Sequence, residues 1–360
     1  MALTKVTTGT IADDSIQSLK NRNLIINGAM QVAQRGTQVT GVTTSGYYTC
    51  DRWRIALGTL GTWTVDQSTD APNGFSNSFK TTCTTADASP AAGDFFIFNQ
   101  RIEAQNLQHL AFGTADAKSM TLSFWVKSNK TGNASVDVVQ LDNSSKMISK
   151  SYTINSADTW EYKTISIPAD TAGVINNDNG DGFQIEWWLN SGTDWSSGSL
   201  QSTWSTYDAT NRNASNLGVG GAVNDYLAIT GVQLEVGDVA TPFEHEFFGD
   251  TLAKCQRYYQ LGGAGAAGTI DGTSSGRVYF ANTLPVQMRA VPSSSLVSGA
   301  SIAVRYGASD QYATSPTIVF GTNGNSSFSV GVNGFSTALA NLASTPSRNG
   351  TLWLALDAEL

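Results

Sequence analysis

Apolar and polar residues alternate with period two along many short runs, and turn-forming residues separate those runs. Met120-Thr-Leu-Ser-Phe-Trp-Val-Lys and Phe183-Gln-Ile-Glu-Trp-Trp-Leu-Asn show the pattern most clearly. Successive strand residues face opposite sides of a sheet, so each run predicts a strand with one buried face. Residues 23–28, 51–57, 95–102, 135–141, 160–168 and 226–234 are further strand-like runs, bounded by Gly, Asn, Ser and Thr. Many short strands over residues 21–249 predict a two-sheet sandwich or jelly roll.

A helix signal follows at residues 250–261, with Asp250 as its N-cap and Gly262-Gly263 as its stop. Leu252, Cys255, Tyr258 and Tyr259 would form its apolar side. Strand-like runs resume beyond it, among them Gly276-Arg-Val-Tyr-Phe-Ala, Ser301-Ile-Ala-Val-Arg-Tyr, Thr317-Ile-Val-Phe, Phe328-Ser-Val-Gly-Val and a terminal strand over 352–360. The expected fold class is therefore all-β, with a short helix between a large sandwich and a second, smaller β-sandwich. The boundaries fall at 1–20, 21–249, 250–262 and 263–360. Residues 1–20 place only Leu3, Val6, Ile11, Ile16 and Leu19 among polar neighbours. They read either as an arm that orders on another surface or as a disordered tail.

Composition narrows the function. Only 14% of the 360 residues are charged, so Ser, Thr, Asn, Gln and Gly must supply the polar surface. That balance fits extracellular or virion β-proteins. A net charge of −8 without a basic run argues against binding nucleic acid. The apolar runs are strand-sized, which argues against membrane insertion. Met1-Ala-Leu-Thr-Lys-Val lacks an apolar signal region, so synthesis in a bacterial cytoplasm is expected. Cys50, Cys83 and Cys255 are odd in number and not at metal-ligand spacing, and free buried thiols are expected. Six Asn-x-Ser/Thr sequons, at Asn129, Asn133, Asn143, Asn213, Asn325 and Asn349, read as chance in a chain this rich in Asn, Ser and Thr.

Several phrases carry a resemblance. Asn21-Arg-Asn-Leu-Ile-Ile-Asn-Gly-Ala-Met-Gln-Val-Ala-Gln-Arg-Gly is followed by Tyr48-Thr-Cys-Asp-Arg-Trp. Then comes Gly231-Val-Gln-Leu-Glu-Val-Gly-Asp-Val-Ala-Thr-Pro-Phe-Glu-His-Glu-Phe-Phe-Gly-Asp, running on to Arg257-Tyr-Tyr. Pro285-Val-Gln-Met-Arg-Ala-Val-Pro matches a Met-Arg-x-x-Pro strand, and Leu356-Asp-Ala-Glu-Leu a frequent terminal strand. Together these resemble the tail fibre and receptor-binding proteins of tailed bacteriophages, cyanophages among them. The opening Leu3-Thr-Lys-Val-Thr-Thr-Gly-Thr-Ile-Ala-Asp resembles the segment by which such subunits attach to the tail, which implies that role for Leu3, Val6, Ile11 and Ile16. Within residues 21–249, Asn23-Leu-Ile-Ile-Asn-Gly, the Leu-Ser-Phe-Trp-Val-Lys strand, Trp160-Glu-Tyr-Lys-Thr-Ile-Ser-Ile-Pro and the Gly-Val-Gln-Leu-Glu strand are similar to jelly-roll carbohydrate-binding modules. That fold often holds a structural calcium through an acid soon after the first Asn-Gly. Here Gln31 stands near that position, and no cofactor or metal is expected.

Glycan recognition needs aromatic faces for sugar C–H surfaces and nearby carboxylates or amides for hydroxyls. Alternation points Met120, Leu122, Phe124 and Val126 inward and Trp125 outward. It points Phe183, Ile185, Trp187 and Leu189 inward, with Glu186 and Trp188 outward. Trp125 and Trp188 would line one face if their strands share a sheet, either as a sugar platform or as an intersubunit contact. Residues 191–213 add Trp195, Trp204 and Tyr207, as a receptor tip or an oligomer clasp. Asn176-Asn-Asp-Asn-Gly-Asp-Gly resembles a cation loop, but position twelve counted from Asn177 is Trp188 where a calcium hand needs Glu; a turn cluster is the reading kept.

Enzyme motifs are weak. The two histidines are His109 and His245, and no His-Glu-x-x-His occurs. Gly272-Thr-Ser-Ser-Gly has the nucleophile-elbow spacing but lacks the strand–turn–helix setting and the residue order that the motif requires. The expectation is a non-enzymatic tail fibre subunit, a homotrimer by resemblance, located in the virion tail. It would contact other tail proteins through its N-terminus and host surface polysaccharide through its β-domains. A tail adaptor or baseplate protein and a polysaccharide-degrading tailspike are the alternatives.

Overall fold

The computed structural model describes residues 21–142, 145–262, 268–270, 278–297, 303–306, 309–312, 318–322, 327–332 and 354–360. The expected attachment arm at 1–20 and the Gly272–Gly276 motif lie outside these residues. The chain divides into two compact units, Met1–Phe248 and Gly249–Leu360.

The first unit holds strands β1 (Gln38–Val42), β2 (Gly46–Tyr47), β3 (Arg54–Gly58), β4 (Thr62–Ser68), β5 (Ser78–Thr85), β6 (Phe95–Glu103) and β7 (Met120–Ser128). It continues with β8 (Gly132–Gln140), β9 (Lys146–Ile154), β10 (Glu161–Ile167), β11 (Asp181–Ser191), β12 (Ser205–Thr206) and β13 (Tyr226–Val236). Sheet 1 runs β1-β4-β5-β13-β7-β10 and sheet 2 runs β12-β9-β8-β11-β6-β3-β2. The interleaved antiparallel order makes a jelly-roll sandwich, as the alternation predicts. Inward side chains of the two sheets interlock: Trp63 meets Phe96 at 4.2 Å, Phe79 meets Phe98 at 4.9 Å, and Phe124 meets Trp187 at 5.6 Å between ring centroids. Met120, Leu122, Phe124 and Val126 are fully buried, as are Phe183, Ile185, Trp187 and Leu189.

Four expectations change. Residues 23–28 are not a strand. Asn27 takes φ 59° and Met30 φ 57°, turning the chain out of a ladder. The Asn23 side chain instead takes ladder positions beside β13, donating to Val232 O at 3.0 Å and accepting from Leu234 N–H at 3.1 Å. Gly28 backs directly onto this strand, where any Cβ would lie 2.1 Å from Val232 O. Residues 51–53 form a turn ahead of β3, with Arg52 at φ 71°.

The helix spans Phe248–Gln256, with Asp250 in its first turn rather than at its cap. It stops early because the next residues pair: Tyr259–Gly262 forms an antiparallel ladder with Leu354–Asp357. Leu354–Asp357 also pairs Ser293–Leu296, so it is the central strand of a three-stranded sheet, and of the Leu-Asp-Ala-Glu-Leu ending only Leu356 and Asp357 belong to it. The Met-Arg-x-x-Pro segment is a connection, not a strand. Pro285 and Pro292 have no N–H to donate to a ladder. Met288 is buried, and Arg289 donates to Ala358 O at 3.0 Å and Glu359 O at 3.1 Å, fixing the terminal strand. The second unit also holds a four-stranded sheet ordered Gly268–Ile270, Val278–Thr283, Ser327–Val332, Ile318–Thr322, and a hairpin of Ala303–Tyr306 with Ser309–Tyr312. All three cysteines are buried and none is in a disulfide.

Candidate functional site

Trp125 and Trp188 both alternate away from the core, but on opposite sides of the sandwich. Trp125 is on β7 of sheet 1 and Trp188 on β11 of sheet 2. They do not share a face.

On sheet 2 the structure gathers Glu186, Trp188, Trp195 and Tyr207 around a residue the sequence did not flag, Arg212. Its guanidinium lies 4.8 Å from the Trp188 ring, 5.5 Å from Trp195 and 5.3 Å from Tyr207. Its Nε donates to Asp137 Oδ2 at 2.9 Å, and its Nη2 pairs with Glu186. Asp137 and Glu186 are direct cross-strand partners on β8 and β11. Trp188 Nε1 donates to Asp137 at 3.2 Å, and Tyr207 Oη accepts from Arg212 at 3.0 Å. Burial raises the Asp137 carboxyl above its ordinary value, against the pull of Arg212. Trp188 is thus outward but fully covered, and Glu186 is buried with it; neither is the open sugar contact that alternation suggested. Trp195 packs on Phe95 at 5.2 Å and donates to Gly93 O at 3.1 Å. Trp204 lies elsewhere, stacked on Phe183 at 5.9 Å with its indole donating to Pro168 O at 2.7 Å. The aromatic loop is therefore clamped onto the sandwich by charge and ring contacts.

Sheet 1 is different. Half of its outer face is covered by the segment leaving β13: Thr121 donates to Gly237 O at 2.7 Å, Thr241 N–H donates to Glu235 at 2.8 Å, and Glu244 N–H donates to Gln233 at 2.8 Å. Glu244 in turn accepts from Asn21 N–H and Asn23 N–H at 2.8 and 2.9 Å. The other half carries an open aromatic ridge. Tyr162 on β10 stands directly opposite Trp125 on β7, with ring centroids 5.4 Å apart and Tyr162 44% exposed. Thr164 and Ser166 follow Tyr162 on the same exposed side. Beside the ridge, Lys127 pairs with Asp70 at 2.8 Å, and Trp160 Nε1 donates to the other Asp70 oxygen at 3.0 Å. Burial pushes the Asp70 carboxyl up, but the bonds from Lys127 and Trp160 and the lysine charges together outweigh it and hold it below its ordinary value. Further along, Lys80 lies 4.3 Å from the Tyr226 ring, and Tyr226 Oη donates to Asp158 at 2.6 Å. Burial and that Asp158 bond push the Tyr226 phenol up. Phe75 closes the ridge towards the covered half, packed on Phe243 at 5.0 Å and His245 at 5.3 Å.

The ridge can stack apolar sugar faces on Trp125 and Tyr162. Asp70, kept ionised, retains acceptor capacity for a hydroxyl, and Lys127 supplies donors. Of the sequence candidates only Trp125 belongs here. Tyr162 was legible: Ile165 and Ile167 point inward, so 162, 164 and 166 point outward. Asp70 and Trp160 meet across |i−j| of 90, which no local pattern shows. In the Asn176–Gly182 loop Asp178 accepts from Gly180 N–H at 2.8 Å, a local turn.

No family model matches the chain, and no curated protein matches it. Among solved structures it is similar to the enzymatically active domain of tailspike protein 4 of bacteriophage CBA120, with 15% identity and a TM-score of 0.30 over 60% of this chain. The match spans 21% of that tailspike chain. A family 4 carbohydrate-binding module is similar at 13% identity and a TM-score of 0.26, over 59% of this chain and 98% of that one. The family 11 carbohydrate-binding module of a Clostridium thermocellum cellulosomal cellulase is similar at 11% identity and a TM-score of 0.28, over 58% and 99%.

Proposed function

We propose that this chain is a tail fibre subunit of a tailed bacteriophage that binds host surface glycans without cleaving them, using the open half of sheet 1. The observation that carries the glycan reading is the in-register pair of exposed Tyr162 and half-buried Trp125, beside Asp70 and Lys127. The virion assignment rests on the ordered set of tail fibre-like phrases along the sequence. In this reading residues 1–20 attach the subunit to the tail, the subunit is a homotrimer, and weak single sites gain avidity by repetition on one particle.

The test uses soluble full-length protein and the surface polysaccharide of a susceptible host. The protein should bind the polysaccharide and block phage adsorption, and Tyr162→Ala and Trp125→Ala should each weaken binding by at least about tenfold, the scale of one lost aromatic contact. New reducing ends in the polysaccharide would identify a degrading tailspike instead. A protein that neither binds cells nor competes, but is needed for tail assembly, would be an adaptor.

A further inference from the structure

A second polar feature lies on the outer face of sheet 2, on the opposite sheet from the aromatic ridge and next to Glu186 of the Arg212 clamp. Arg54 on β3 is the direct cross-strand partner of Asn99 on β6, and Arg101 lies two residues along β6 on the same face. Diagonal neighbours of this kind sit within reach of long side chains. Arg101 pairs with Asp181 at 2.7 Å. Arg54 is half-buried, and among the described residues no carboxylate forms an ion pair with it. Asn99 is fully buried, yet both its amide nitrogen and its amide oxygen lack a protein partner, and so does Arg101 Nε. Glu186, the other cross-strand neighbour of Asn99, is already held by Arg212. Burial, and then the Arg101 charge, lower the Arg54 guanidinium from its ordinary value, as expected of two cations left facing each other. Asp181 pairs with Arg101 and acts on Arg54 only from a distance, so among the described residues Arg54 is the cation of the two without an ion pair.

We infer that Arg54, Asn99 and Arg101 form a subsite for an acidic sugar. A carboxylate would bridge the two guanidinium groups, which match its planar geometry. Asn99 offers one donor side and one acceptor side, so its partner must bring both an acceptor and a donor. A sugar acid carries both, as a carboxylate beside ring hydroxyls; inorganic phosphate has its acceptors and its O–H on one centre and lacks the span of a ring beside its charge. Asn99 is closed from solvent, so side chains beside it must shift for the amide to be reached. This site is independent of the aromatic ridge.

Full-length protein titrated with sodium D-glucuronate tests it, with D-glucose and inorganic phosphate as parallel arms and binding followed by NMR. Glucuronate should bind and glucose should not. Arg54→Gln should lower glucuronate affinity at least about tenfold, Arg54→Lys should lower it less, and Val223→Ala, at an exposed position outside both surfaces, should leave it unchanged. Thermal melting of each variant separates lost binding from lost folding. The inference is overturned if glucuronate does not bind, if phosphate displaces it as well as unlabelled glucuronate does, if folded Arg54→Gln binds as well as the parent, or if Val223→Ala abolishes binding.

Discussion

Gly231 lies directly beneath Trp125: a Cβ there would stand 3.0 Å from Trp125 Cδ1 and 2.6 Å from Phe75 Cζ. Its φ of 59° interrupts the β13–β7 register between Thr230 and Gln233. The bulge lets the Trp125 and Phe75 rings settle over bare backbone, so the opening Gly of the Gly-Val-Gln-Leu-Glu phrase shapes the aromatic ridge. Gly231→Val should therefore cost about 1–3 kcal/mol in stability through a β-branched residue at positive φ. Urea denaturation measures the cost. The same variant should also weaken glycan binding, because Trp125 is displaced; full affinity in a folded Gly231→Val protein would show that the bulge does not position the ring.

How much of this arrangement is legible in the sequence depends on the range of the contacts. The facing of β7 and β10 follows from alternation alone. Strands β4 and β5 were missed because their inward set mixes Trp63, Val65 and Phe79 with Thr81, in runs otherwise rich in Thr and Ser. In β11 the outward side of Trp188 was legible, but its burial was not. The cover comes from Arg212, and Arg212 is held by Asp137 at |i−j| of 75. A single sequence does not say which acid on which strand an arginine will meet. Likewise, residues 257–261 continue a helical pattern locally, and only the distant strand Leu354–Asp357 makes Tyr259–Gly262 extended.

Glu161 makes part of the stability pH-dependent. Burial raises its carboxyl, but Lys163, the Ser156 N–H and Asn155 more than compensate and hold it at about 2, against an ordinary value of 4.5. A depressed acid contributes stability above its unfolded value and loses it as pH falls through the folded one. The melting temperature should therefore fall between about pH 4.5 and pH 2, and Glu161→Gln should flatten part of that fall. Parallel melting curves of parent and variant over this range are the check. Identical slopes would mean that these bonds do not persist in solution.

The cysteines give a test of packing that is independent of ligand. Burial, and then Asp51, push the Cys50 thiol up; burial, and then Asp225, do the same to Cys83. Cys255 is also buried. Since the thiolate is the reactive form, a thiol reagent at pH 8 should leave the native protein unlabelled. After denaturation three thiols should react, matching the three cysteines in the chain. Rapid labelling of Cys83 in native protein would place a gap where β5 meets Gly220.

The Arg212 clamp should behave as a buried charge set rather than as a sugar contact. Arg212→Ala leaves Asp137 and Glu186 buried, adjacent and without their cation, a change that typically costs about 3–5 kcal/mol. It also removes the cation from between Trp188, Trp195 and Tyr207, so residues 192–213 should become sensitive to protease. Adding Glu186→Gln to Arg212→Ala removes one of the stranded charges and should recover part of the loss. Such coupling is expected of residues that share one ion-pair network. Because the clamp and the aromatic ridge are on opposite sheets, Tyr207→Ala should retain glycan affinity while Tyr162→Ala loses it. Calorimetric titration of the two variants with the same polysaccharide decides between the faces, and the reverse order would move the sugar site to sheet 2.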